Sequence, residues 1–406
     1  MATAVRTKYN VGGIMLDQPF KVRRLGHFGF NVNDIPGNLR FYNELLGFSI
    51  SDTNDFGPRI QDPVVRASVG DARGFFMHYG GDHHAFVLFP RRAMEAMRPP
   101  RTQGVTINQI TWQVGSLAEV VHAAGWFPEQ GVTVQRSGRD MPGSNWHTYV
   151  YDPDGHTNEL YYGIEQIGWE GYSKPRAMYD RRFTEVPSLP QASEFQEVQD
   201  ALARGQDLHE GYRYLEQLPA NYDVEGILLP RPFKIVRIGP VRLFVQDVEA
   251  ARAFYQDKMG FSLTEEVNWR GHRCLFLRVN TEHHALALYP VALRAHLNLS
   301  GHTTCMSFGI QLASYKQLRD AAAFLTEHGA HQVEVPPELY PGIDYAAHFQ
   351  DPDGHCVQLY YYMEQVGWDG RPRPKDLRRT VNGGWPEALE PLSDTYAGEP
   401  FLGPWG

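Results

Sequence analysis

His27 marks where the two halves of this 406-residue chain differ in chemical capacity. Histidine is the side chain most often used to bind a metal, and its ordinary pKa suits proton transfer near neutrality. Pro19 to His27 reads Pro-Phe-Lys-Val-Arg-Arg-Leu-Gly-His, and Pro232 to Pro240 reads Pro-Phe-Lys-Ile-Val-Arg-Ile-Gly-Pro. The motif recurs and the imidazole does not. Glu159 is lost in the same way, its counterpart being Gln358. The pair His83-His84, after Asp82, survives as His283-His284 after Glu282. Between these lie Gln109, whose counterpart is Ser307, and His147 and Tyr149, spaced to share one strand face.

Other echoes are as clear. Asp152-Pro153-Asp154-Gly155-His156 returns unchanged at 351–355, and Glu165-Gln166-Ile167-Gly168-Trp169 returns as Glu364-Gln365-Val366-Gly367-Trp368. A repeat of this length is a duplicated domain rather than a solenoid unit. The division expected is a domain at 1–185, a linker with a helix at 186–220, a second domain at 221–380, and a Pro/Gly-rich tail at 381–406. The first copy reads as the active half and the second as scaffold.

The elements that must position these residues follow from pattern. His27 to Val32 alternates as a strand, and Asn38 to Leu46 has helical spacing ended by Gly47. Phe75 to Tyr79 and His84 to Phe89 read as strands joined at Gly80-Gly81-Asp82, which would put His83 and His84 on opposite faces. Ile107 to Val114, Thr148 to Asp152 and Asn158 to Tyr162 are further strands, with a helix over Leu117 to Ala124. Each domain is thus expected to be two strand–helix–strand–strand–strand modules, an α+β fold.

Composition restricts the class. Hydrophobic residues at 42% and charged residues at 21% are ordinary for a globular protein. A net charge of −9 argues against nucleic acid or anionic membrane as partner. No leader peptide and no 18-residue apolar run is read. Cys274, Cys305 and Cys356 form no CxxC pair, so a reduced, cytoplasmic protein is expected.

Leu25-Gly26-His27-Phe28, the segment Phe76 to Ala85, and Tyr149 to Glu159 occur in an order that resembles the vicinal oxygen chelate superfamily. That group includes glyoxalase-like enzymes and type I extradiol ring-cleavage dioxygenases. The resemblance covers about residues 19–170 and 232–370. It implies tandem vicinal oxygen chelate domains, each a pair of βαβββ modules, and metal ligands at His27, Glu159 and Gln109. Gln109 departs from the dioxygenase pattern, which has histidine there; glyoxalase-like relatives use glutamine. It also implies His84 as acid–base and Tyr149 beside the substrate; His147, two residues before Tyr149 and so on the same strand face, is a further candidate substrate contact.

The function expected is therefore a non-haem extradiol-type dioxygenase using Fe(II) and O2 on an aromatic diol or related phenol. Mn(II) or Zn(II) fits the same ligands, and a homo-oligomer is expected. Two alternatives stand beside it: a glyoxalase-like lyase, isomerase or hydrolase with a Lewis-acid metal, and a binding protein without catalysis.

Overall fold

A computed structural model describes residues 8–97, 102–140, 142–178, 185–367, 369–379, 381 and 384–389. Most of the expected tail at 381–406 lies outside those residues. Two eight-stranded sheets carry the fold. The first holds β1 (Arg24–Val32), β2 (Ser49–Asp55), β3 (Arg73–His78), β4 (Phe86–Pro90), β5 (Ile107–Gln113), β6 (Val134–Arg139), β7 (Trp146–Tyr151) and β8 (Thr157–Tyr162). Its spatial order is β2-β3-β4-β1-β5-β8-β7-β6. Two four-stranded modules therefore meet at the antiparallel β1–β5 pair.

The second sheet repeats this order with β9 (Ile235–Val245), β10 (Ser262–Trp269), β11 (His272–Arg278), β12 (Leu286–Pro290), β13 (Cys305–Leu312), β14 (His331–Val333), β15 (Ala346–Gln350) and β16 (Cys356–Tyr360). Together these make two tandem domains of the α+β class, each a pair of four-stranded modules. β2, β6 and the helices Pro63–Val69 and Arg91–Met97 are elements the residue pattern did not disclose. Glu194–Ala203 forms a helix in the segment between the sheets.

Strand alternation decides what faces the site. In β1, Phe28, Phe30 and Val32 enter the main core, and His27 takes the other face. In β8, Leu160 is core while Thr157 and Glu159 face the site. In β5, Ile110 and Trp112 are core. A register shift between Gly29/Gln109 and Phe30/Ile107 inserts Asn108 as an extra residue, so Asn108 and Gln109 both reach the site.

The core is continuous between the domains. Phe308 of β13 stacks on Phe28 with ring centroids 4.5 Å apart and also meets Phe30 and Phe86. The Asp-Pro-Asp-Gly-His turns join the halves reciprocally. Tyr255 donates its hydroxyl to Asp152, and Tyr42 donates to Asp351, each at 3.0 Å. Asp154 accepts from the Gln246 backbone N–H, and Asp353 from the Asn33 and Asp34 backbone N–H groups. His156 and His355 lie 2.9 Å from Asp152 and Asp351 inside these turns.

Candidate metal and substrate site in the first domain

One register row crosses five strands of the first sheet. His27 of β1 stands opposite Thr111 of β5, Thr111 opposite Glu159 of β8, Glu159 opposite Tyr149 of β7, and Tyr149 opposite Arg136 of β6. Residues paired across strands on one face have adjacent side chains. The row thus delivers an imidazole, a hydroxyl, a carboxylate, a phenol and a guanidinium side by side.

Glu159 is the hub. Its Oε2 lies 3.2 Å from His27 Nε2 and accepts from Thr111 Oγ1 at 2.7 Å and Gln109 Nε2 at 3.4 Å. Its Oε1 accepts from Asn145 Nδ2 at 2.5 Å. The side chain is fully buried, which by itself raises a carboxyl pKa, but the charge and hydrogen bond of His27 together with the charge of His147 bring it below the ordinary value. A buried carboxylate with this many donors is held ionised.

Asp140 forms a second centre. Arg136 pairs with it through two hydrogen bonds, at 2.6 and 2.7 Å, and Tyr149 donates to it at 3.0 Å. The Arg136 guanidinium also lies over the Tyr149 ring, 4.4 Å from its centroid. Burial would raise the Asp140 carboxyl, but His147, Arg136 and Tyr149 prevail and hold it well below the usual range. Burial raises the Tyr149 phenol well above normal, and Glu159 and Asp140 add to this, so it stays protonated.

The expected ligands His27, Gln109 and Glu159 come together. Gln109 turns its amide nitrogen toward Glu159, so ligation through the carbonyl oxygen would require the amide to turn over. His147 departs from its expected role as a substrate contact. It is fully buried and absent from the cavity wall, with a ring nitrogen 3.4 Å from Asp140. Asp140, His147 and Glu159 each offer a ligand atom, all within 4.8 Å of one another. A divalent metal fits this region. His27 Nδ1 and both His147 ring nitrogens are buried without a hydrogen bond, beside two carboxylates. Imidazole and carboxylate are the donors that divalent iron, manganese and zinc share.

His84 sits just before β4 rather than within it, and this corrects the expected separation of the two histidines. Both are buried, with Nδ1 atoms 3.0 Å apart. The His84 ring lies 4.4 Å from that of His27. Burial, then the charges of His27 and His83, push its pKa well below the ordinary value, so it is neutral. Gly143, at φ +93°, presses its backbone on this pair; a Cβ there would lie 2.8 Å from His84 Cε1.

Above the row opens a cavity of about 350 Å³. His27, His84, Gln109, Tyr149 and Asp140 line its inner end. Arg136, Asp140, Asn145 and Thr111 were not singled out from the sequence. Only the Arg136/Asp140 spacing carried a signal, and an i,i+4 charge pair is common on any surface.

The second domain has no such row. Pro240, Ser307 and Gln358 replace His27, Gln109 and Glu159. Arg242 replaces Gly29, as register shows: Arg242 faces Ser307 and Ala287 where Gly29 faces Gln109 and Val87. Its guanidinium is fully buried and donates to Ser307 Oγ at 3.1 Å and His284 Nε2 at 3.1 Å.

The model of the glyoxalase/bleomycin resistance protein/dioxygenase superfamily matches residues 24–160 and 237–359, more than half of the chain. The chain belongs to this superfamily. Among solved structures of the same fold is the 2,3-dioxygenase LapB from Pseudomonas sp. KL28, 13% identical, with a TM-score of 0.54 over 87% of this chain and 96% of that one. A catechol 2,3-dioxygenase is 15% identical, with a TM-score of 0.53 over 92% and 96%. A Mn(II)-bound glyoxalase from Novosphingobium aromaticivorans is 15% identical, with a TM-score of 0.52 over 86% and 85%. No curated protein matches the sequence. The chain thus shares its fold with dioxygenases and with a Mn(II)-bound glyoxalase, and no helix among its described residues is long and apolar enough to cross a membrane.

Proposed function

We propose that the protein is an extradiol-type dioxygenase that opens an aromatic diol with O2, using a divalent metal, Fe(II) first, in the first domain. The observation that carries this reading is the buried His27–Glu159 pair beside the neutral imidazole of His84 on a cavity floor. Glu159 and His27 hold the metal, with Gln109 or His147 as the third donor. The metal supplies a Lewis-acidic centre at which a diol and O2 can meet.

The chain's own groups do the rest. Neutral His84 accepts a proton from the bound phenol and later returns it. His83 fixes the His84 ring through its Nδ1. Tyr149, kept protonated and tied to Asp140, orients its ring toward the substrate, and Arg136 holds that pair in place. The aromatic rings of Phe76 and Phe89 exclude water from the inner cavity.

Oxygen uptake on adding catechol or a substituted catechol to iron-loaded protein, with a yellow ring-opened product, is the test. Uptake without catechol dependence, or none with any diol, sinks the reading. One observation favours a second reading: Gln109 supplies a neutral donor where a ring-cleaving enzyme has histidine. A glyoxalase-like lyase, isomerase or hydrolase would turn over without consuming oxygen.

A further inference from the structure

The first module carries a segment that the third lacks. In the second sheet β10 and β11 are joined by a tight turn, with Trp269 pairing with His272 across Arg270-Gly271. In the first sheet the same hairpin position, Asp55 opposite Arg73, is bridged by residues 56–72. These residues are ordered into a turn at Gly57–Arg59 and a helix at Pro63–Val69, with Asp62 accepting from the Val64 and Val65 backbone N–H groups.

The inserted segment has its own small core. Phe56, Ile60, Val69 and Ala72 pack with Phe76, Phe89 and Met94. Phe56, Phe89 and Met94 of that core also line the cavity, together with Met97. The cavity wall therefore joins polar groups, His27, His84, Gln109 and Tyr149, to a chamber beside the insertion where Phe56, Phe89, Met94 and Met97 stand, with Asn54 and Arg59 also on the wall. A space of about 350 Å³ lies within the range that holds drug-sized molecules, larger than one diol ring needs. Methionine and phenylalanine walls give dispersion contacts and adapt in shape. On the other sheet the matching face is closed by its own core, including Phe244, Tyr289, Leu339 and Tyr340.

We infer that the chamber under residues 56–72 is a substrate subsite that selects an aromatic diol bearing a bulky apolar substituent. The inference rests on the aromatic-diol reading above. It assigns Phe56 and Met97 as specificity residues, since both touch the chamber and neither is one of the polar groups.

The test is calorimetric binding under anaerobic conditions to metal-loaded protein, with catechol, 4-phenylcatechol and hydroxyl-free biphenyl as probes. Phenylcatechol should bind at least about tenfold more tightly than catechol, the effect of burying most of a phenyl ring. In Phe56→Ala/Met97→Ala that ratio should fall to near one. A chain with residues 56–72 replaced by the Arg-Gly turn of the other domain should behave alike; if it does not fold, the double variant decides. Equal affinities in the unaltered protein, or a ratio unchanged in the double variant, would overturn the inference. Biphenyl separates this from failure of the dioxygenase reading. Biphenyl binding that the double variant loses, with no binding of either diol, upholds the chamber and rejects the diol. No biphenyl binding together with equal diol affinities rejects the chamber alone.

Discussion

Arg242 stands in the second domain where Gly29 stands in the first, and its guanidinium reaches His284 as His27 reaches Glu159. Gly29 lets the Phe89 ring pack directly on β1; a Cβ there would lie 2.7 Å from Phe89 Cε2. An arginine fills the same face of β9 with a fixed cation, which repels any metal ion. Arg242 donates to His284 Nε2, so that imidazole is kept neutral and its outer nitrogen is spoken for.

One divalent metal per chain is therefore expected. Elemental analysis should show its loss in His27→Ala and Glu159→Ala and its retention in His284→Ala; two equivalents per chain would contradict the assignment. Thr111→Val removes the hydroxyl donated to Glu159 at 2.7 Å. Partners behind a ligand usually tune affinity about 10–100-fold, and a competitive chelator titration should show a loss of that size.

His84→Phe should keep the metal and lower turnover by about 10²–10⁴-fold, the usual contribution of a placed proton-transfer group. Phenylalanine roughly preserves ring size, so stability should change little. His83→Phe should also slow turnover, by a smaller factor, because His83 Nδ1 contacts His84 Nδ1. Metal loss in His84→Phe would instead make His84 a ligand.

The reciprocal turns can be probed by removing one hydroxyl at a time. Tyr42→Phe and Tyr255→Phe should each cost about 1–3 kcal/mol in urea unfolding, as when a buried acceptor loses its donor. Tyr255→Phe should cost more, because its hydroxyl also accepts from Asn158 Nδ2 at 3.1 Å. No change in either midpoint would show that the turns do not hold the domains together.

Stability should depend on pH through His156. Burial lowers the pKa of this imidazole, but Asp152 prevails and raises it above the ordinary value. The protonated form is thus favoured by the fold. Its contribution is complete below the unfolded pKa of about 6.5 and disappears as pH climbs through the raised folded value. The urea midpoint should fall across that window, and His156→Gln should flatten the slope. An unaltered slope would assign the pH dependence to other groups.

The duplication, the module order and the strand placement of His27, Gln109 and Glu159 on β1, β5 and β8 were legible because strand alternation and repeated motifs are local signals. The role of His147 was not. Sharing a strand face with Tyr149 places both toward the site, but depth within the site depends on the packing of the 140–145 loop. Asp140 and Arg136 showed only a common charge-pair spacing for a related reason: their value comes from contacts with Tyr149 and Glu159 that the fold makes. The placement of His83 failed because the segment before β4 is a turn, where alternation does not apply. The insertion at 56–72 reads as an unpatterned loop until the shorter hairpin at Arg270-Gly271 is set beside it.

The exchanged tyrosine–aspartate contacts make the chain a homodimer joined end to end. In a true homodimer every substitution is imposed on both partners, so a change that closes one pocket closes both. Here each half keeps its Asp-Pro-Asp-Gly-His turn and lends a tyrosine to the other, while Pro240, Arg242 and Gln358 alter one side only. Fusion frees the halves to diverge, so a substitution in one need not be matched in the other.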